Sequence, residues 1–99
     1  MNIATLMDLA RQNAQIRSDR HLGMRLGVSE ATPCTWRRGT SVPIPGHLIN
    51  LCELANIPPE VGLAWRNVWQ AEGEARAICE RIANQVTDLA GVALPSEAA

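Results

Sequence analysis

Ninety-nine residues suit one domain with a single modest core and are too few for a two-domain enzyme. The apolar fraction of 46% rests on Leu, Ala, Ile and Val, with three Trp and neither Phe nor Tyr, a composition that predicts an all-α chain. The formal net charge of −1 argues against a uniformly basic nucleic-acid binder, and no apolar run reaches the ~18–20 residues of a membrane span.

In chain order, Ile3, Leu6, Met7, Ala10 and Ala14 form the apolar stripe of a first amphipathic helix, about residues 2–14. Ser18 is placed as an N-cap, with Asp19 in the first turn of a second helix where a carboxylate suits the dipole. Leu22 and Leu26 are its apolar face, and Gly27 ends it. Ser29 is a candidate N-cap for a third helix that stops at Arg38, before Gly39. Pro33 would be the fourth residue of that helix, where its ring conflicts with the Ser29 carbonyl and it disfavours α geometry at Thr32. Thr32-Pro33 would itself make an N-cap and first-position pair, so the expectation is a distorted or late start. Residues 40–45 form a loop with two prolines and two hydroxyls. Pro45 opens a fourth helix carrying Leu48, Leu51, Cys52 and Ala55, which stops near Asn56. Pro59 opens a fifth, with Val61, Trp65, Val68 and Trp69 on one stripe. Gly73 kinks or breaks the chain before a further stripe of Ile78, Cys79, Ile82 and Val86. The expected organisation is a 1–58 core, C-terminal helices over 59–88, and a flexible tail over 89–99.

Residues 19–38 meet the requirements of a helix-turn-helix. Gly23 is the small residue where two helices cross, Gly27 is the turn, and Leu22, Leu26, Val28, Pro33 and Trp36 take the inward positions. Charge is also unevenly placed. Residues 11–38 hold Arg11, Arg17, Arg20, Arg25, Arg37 and Arg38 against Asp19 and Glu30, a balance of +4. Residues 39–99 hold three arginines against seven acids, a balance of −4. Such asymmetry points to a basic binding face on an otherwise acidic protein.

The run SDRHLGMRLGVSEATPCTWRRGTSVP, residues 18–43, resembles the lambda-repressor-like (Cro-type, Xre) helix-turn-helix proteins, in which a "LGVS…W..G..P" string is common. The likeness of the motif covers roughly residues 18–45, and the helix order extends it to about residue 70. The stretch from Pro58 to Ile82 is similar to small phage-encoded members with an added C-terminal helix. The resemblance implies an all-α, lambda-repressor-like five-helix domain with an additional C-terminal helix. It also implies binding to double-stranded operator DNA as a homodimer.

Carried onto this chain, the resemblance places Glu30, Ala31, Thr32 and Thr35 against base edges. Glu can accept from cytosine N4, Ala can pack on a thymine methyl, and Thr can bond several edges. Ser18 and Ser29 at helix starts, with Arg20, Arg37, Arg38, Thr40 and Ser41, are placed for phosphates. Trp36 is expected in the core, and Cys34 partly exposed near the DNA.

Trp65, Trp69, Ile78 and Ile82 offer more apolar surface than a four-helix core needs, and part of it is expected to form a symmetric dimer interface. Cys34, Cys52 and Cys79 are widely spaced with no CxxC pair, and His21 and His47 are isolated, so neither a metal site nor a cofactor is expected. No Ser/His/Asp or Cys/His grouping, Gly-rich phosphate loop or carboxylate pair supports catalysis. No basic region followed by an apolar block marks an export signal, so a cytoplasmic location is expected. The expected function is a sequence-specific phage or mobile-element repressor. The alternatives are an antitoxin whose C-terminal helices clamp a toxin, and a helical protein-interaction module; an antirepressor is a further possible partner.

Overall fold

Asn2 sets the first helix: its side chain accepts a 2.8 Å hydrogen bond from the Thr5 amide, so the residue expected to begin the helix caps it instead. The computed structural model describes residues 1–97. Among them run six helices and no strand: α1 Ile3–Ala14, α2 Asp19–Leu26, α3 Thr32–Arg38, α4 Pro45–Ala55, α5 Pro59–Gln70 and α6 Gly73–Leu89. The chain is therefore all-α, and none of these helices is long and apolar enough to cross a membrane.

The helix ends follow the local chemistry read above. Gly27 at φ 72° and Gly39 at φ 79° close α2 and α3 in the left-handed region, where a side chain would be strained. Pro45 and Pro59 open α4 and α5 at the position where a missing N–H costs nothing. At Gly73 the helix breaks rather than kinks, because Ala71 and Glu72 are both extended.

One core joins all six helices. Leu6, Met7 and Ala10 of α1 pack mainly on Leu48, Leu51 and Cys52 of α4, and Leu22, Leu26 and Trp36 come in from α2 and α3. Val61, Trp65 and Val68 of α5 cover the other side of α4 and receive Ala83 of α6. The α4–α5 crossing is close enough that a Cβ at Gly62 would lie 2.2 Å from the Cys52 sulfur. Burial there pushes the Cys52 thiol up to about 11, so it is a packed, neutral group.

Trp65 differs from its expected place. It is 5% exposed, and its indole N–H donates to the Thr87 hydroxyl at 2.9 Å, which in turn donates to the Ala83 carbonyl at 2.7 Å. It closes the seam between α5 and α6 and presents nothing to a partner. Trp69 is half-buried and donates to the Met1 carbonyl at 2.9 Å. Ile78 and Ile82 are 41% and 50% exposed.

The tail also differs from expectation over its described part. Val92 and Leu94 pack against the core, and the Glu97 carboxylate accepts from the Asn2 amide at 2.8 Å and from the Thr5 hydroxyl. An apolar pair and a capped helix start give this segment a place to dock. Residues 98 and 99 of the expected tail lie outside the described residues.

The Gly62–Cys52 contact gives the first prediction. Gly62→Ala should lose about 1–3 kcal/mol from overpacking, against the about 1 kcal/mol that Ala gains over Gly in a helix. Adding Cys52→Ala removes the obstructing sulfur. The double variant should therefore be more stable in urea, followed by tryptophan fluorescence, than the two single losses sum to; strict additivity would contradict the close approach.

Candidate nucleic-acid interface

α2 and α3 are joined by residues 27–31, and their relative angle is held at two points. The first is apolar. The Pro33 ring is fully buried against Gly23, where a Cβ would come within 2.9 Å of the proline Cγ. Gly23 is thus the crossing residue, and Pro33 is the side chain that fills the space it leaves.

The second is ionic. Asp19, in the first turn of α2, receives a fork from Arg37 in the last turn of α3, Nε to Oδ2 at 2.8 Å and Nη2 to Oδ1 at 3.0 Å. Arg37 reaches on to Asp8 of α1 at 2.8 Å, and Arg11 of α1 bonds Asp19 at 3.3 Å. Arg11 also donates to the Arg17 carbonyl at 2.8 Å, so the α1–α2 connection is pinned by the same network. The bonds from Arg37 hold the Asp19 carboxyl below its ordinary range, and those to Asp19 and Asp8 raise the Arg37 guanidinium above its own.

α3 begins late. Its helical residues are Thr32–Arg38, seven in all, with Ala31 as the cap residue and Pro33 in the second position. The start falls one residue ahead of the Pro33 start that a Thr32 N-cap would give. Ser29 does not cap the helix through an amide. Its hydroxyl instead pairs with that of Thr32 at 2.6 Å, and the Thr32 amide donates to the Ser29 carbonyl at 3.1 Å.

The residues expected at DNA differ in exposure and in the partners they already have. Glu30 and Ala31 are exposed in the turn before α3, and Glu30 pairs with Arg20 of α2 at 2.5 Å, both side chains about two-thirds exposed. Arg38 is exposed at the C-terminal end of α3, with no ion pair among the described residues. Thr35 is half-buried: its hydroxyl donates to the Thr32 carbonyl at 2.8 Å and meets the Ser41 hydroxyl at 2.6 Å.

Thr40 bonds the Thr35 carbonyl at 3.1 Å, so the loop after α3 is laid back on the helix it follows. Ser18 caps α2 by accepting from the His21 amide at 3.2 Å, and it also meets His21 Nδ1 at 2.6 Å. Arg37, expected at a phosphate, is instead held inside the fold. Its charge is spent on Asp19 and Asp8, behind the face it was expected to join.

This pairing changes the charge account. Arg11 and Arg37 are matched by Asp8 and Asp19, and Arg20 by Glu30. Arg17, Arg25 and Arg38 are left without a carboxylate among the described residues, and Arg17 contacts His21 instead. The outward side of α3 carries Ala31, Cys34 and Arg38, flanked by Thr32 and Thr35. Cys34 is a free, exposed thiol at the centre of that side, a position its spacing from Ala31 and Arg38 encodes. Asp8 joins the network through a partner 29 residues away, beyond the reach of local sequence signals.

No family model, characterised protein or solved structure matches the chain.

Arg66 of α5, unremarked in the sequence, completes the support. It donates to the Pro43 carbonyl at 2.7 Å and so anchors the loop that follows α3. Among the described residues no group of three or more His, Cys, Asp or Glu is placed to hold a metal.

The second prediction follows from Asp19. Its folded pKa lies below its ordinary value of 3.8. The stability it adds is therefore present above about pH 3.8 and lost as the pH falls below that. Asp19→Asn should cost about 2 kcal/mol near neutrality, the scale of hydrogen bonds to charged groups. The gap between wild type and variant in urea unfolding should close on acidification, because the wild type loses the same interaction. A gap that stays constant with pH would mean the fork contributes no stability.

Proposed function

We propose that this chain is a sequence-specific DNA-binding regulator of the lambda-repressor-like kind. It places the outward side of α3 in the major groove and binds a two-fold operator as a homodimer, as a phage or mobile-element repressor that blocks a promoter. The observation that carries this reading is the contrast between the two sides of α3. Its back is locked to α2 and α1 by Pro33 on Gly23 and by Arg37 on Asp19 and Asp8. Its front exposes Ala31, Cys34 and Arg38, with half-buried Thr32 and Thr35 beside them. A short helix held rigidly from behind and open in front is what base reading requires, since loose side chains would lose their contacts to ordering entropy.

Each group then has a distinct part. Ala31 and Thr32 approach base edges at the start of the helix. Glu30 is kept beside them by Arg20, and an exposed pair of this kind is worth at most about 1 kcal/mol, so it opens readily. Opening frees the carboxylate for cytosine N4 and the guanidinium for a phosphate. Thr35 keeps one oxygen lone pair beyond its internal bonds and serves as an acceptor. Arg38, Thr40 and Ser41 meet the backbone at the far end of the helix. Arg37 sets the angle of the helix and touches no phosphate.

Binding-site selection from random duplexes tests the reading. It should return a two-fold motif with half-sites about 10 bp apart; recovery of no motif would overturn it. On the selected duplex, Arg38→Gln should lower the slope of log affinity against log salt by about 0.9 per protomer without altering the urea midpoint. Arg37→Gln should do the reverse, lowering the midpoint while leaving the salt slope nearly unchanged.

A further inference from the structure

The first half of α6 lies mostly in solvent. Of residues 72–82, all but Cys79 are exposed. Cys79 alone of these packs against the core, while Ala83, Val86 and Thr87 fasten the second half. A free-standing helix of this length is marginal in water. This one also exposes Ile78 and Ile82, a pair at i and i+4 on one face.

The residues around that pair match a second copy of themselves. At about 100° per residue, Ile82 lies about 40° to one side of Ile78, and Ala75 about 60° to the same side. Glu74 and Arg81 lie about 40° and about 60° to the other side. Both charges thus sit on one edge, and neither has an ion-pair partner in the chain among the described residues.

When two helices pack antiparallel about a two-fold axis, like edges face each other. With the axis at Ile78, that residue meets its own counterpart. Glu74 then stands within one residue, about 1.5 Å along the axis, of the second copy's Arg81. On the opposite edge Ile82 falls, within one residue, on the second copy's Ala75. Three kinds of contact agree on a single register. A parallel arrangement would not bring the two charges together, since it sets opposite edges face to face.

We propose that α6 pairs antiparallel with α6 of a second copy of this chain, with Ile78 on the two-fold axis and Glu74–Arg81 ion pairs on one rim. This deepens the homodimer part of the function proposed above and rests on it. A single pair of half-helices is a small contact beside the ~1,200–2,000 Å² typical of stable complexes, so the free protein is expected to dimerise weakly. The α2–α3 unit has no part in it, so two α3 helices remain available at once.

Sedimentation equilibrium on the full chain, free and on the selected duplex, tests the interface. The wild type should dimerise. Glu74→Arg and Arg81→Glu singly should each weaken the dimer about tenfold, as like charges replace opposite ones in both symmetry-related pairs. The two together should restore affinity to within about threefold, a rescue that damage to folding would not produce. Ile78→Ser should leave the circular dichroism unchanged, because the side chain is already exposed, and abolish the dimer. A dimer indifferent to all four variants would place the interface elsewhere and overturn this inference while sparing the homodimer. A wild type that stays monomeric both free and on DNA would overturn both. Loss of DNA binding with self-association intact would overturn only the regulator reading.

Discussion

The fork between Asp19 and Arg37 is the interaction on which the presentation of α3 depends. Each partner stands where the backbone already favours its charge: a carboxylate in the first turn of α2 and a guanidinium in the last turn of α3. The fork therefore adds to two helix-end interactions as well as joining the helices. Two bonds in one plane also fix orientation, which a single ammonium contact would not. Both side chains are about 30% exposed, so the cost of removing them from water is partial, and Asp8 and Arg11 keep the remaining valences occupied. A helix of seven residues has too little backbone bonding to hold its own direction, and this network supplies it.

Pro33 is the second constraint, and it works through what it prevents. A proline cannot occupy the fourth position of a helix beginning at Ser29, so α3 loses its first turn and begins at Thr32. What is lost in helix length is offset by a rigid ring on Gly23, where a flexible side chain would have to be ordered. Glu30 and Ala31 are thereby left in a turn, where Glu30 pairs with Arg20.

Local chemistry was the legible part of the sequence. Proline at a helix start, glycine at a helix end, Ser18 as a cap and the Gly23 crossing all act within a few residues, and the structure has each where its physics puts it. Contacts between distant segments were not legible. Nothing in the spacing of Asp8, Asp19 and Arg37 marks Arg37 as structural, so Arg37 and Arg38 read alike although one is held in ion pairs and the other has none among the described residues. The same holds for Trp65 and Trp69. Their stripe says they are apolar on one face, but only the partner hydroxyl of Thr87 shows that Trp65 belongs to the interior. Composition suggested a loose tail because the partners of its side chains are far off in sequence; Glu97 docks at the start of α1, more than ninety residues earlier, and Val92 beside Leu9 and Ile57.

Shortness of α3 bears on how specificity is reached under the proposed function. Four side chains near its start are in range of bases, and one of them, Thr35, has its hydroxyl hydrogen committed to the Thr32 carbonyl. Each well-made base contact discriminates by ~1–3 kcal/mol. One protomer therefore has too few readers to separate an operator from the ~10⁶–10⁹ competing sites of a genome. Doubling the readers on a two-fold site doubles that free energy only if both heads bind together, which requires a link of some strength. A weak α6 pair meets this requirement better than a strong one. It leaves free protein largely monomeric at low concentration and adds its association energy when two half-sites bring the copies close, so occupancy rises steeply with concentration. The last helix, to which no phosphate contact is assigned, then has a reason to carry an exposed isoleucine face beside a matched pair of opposite charges.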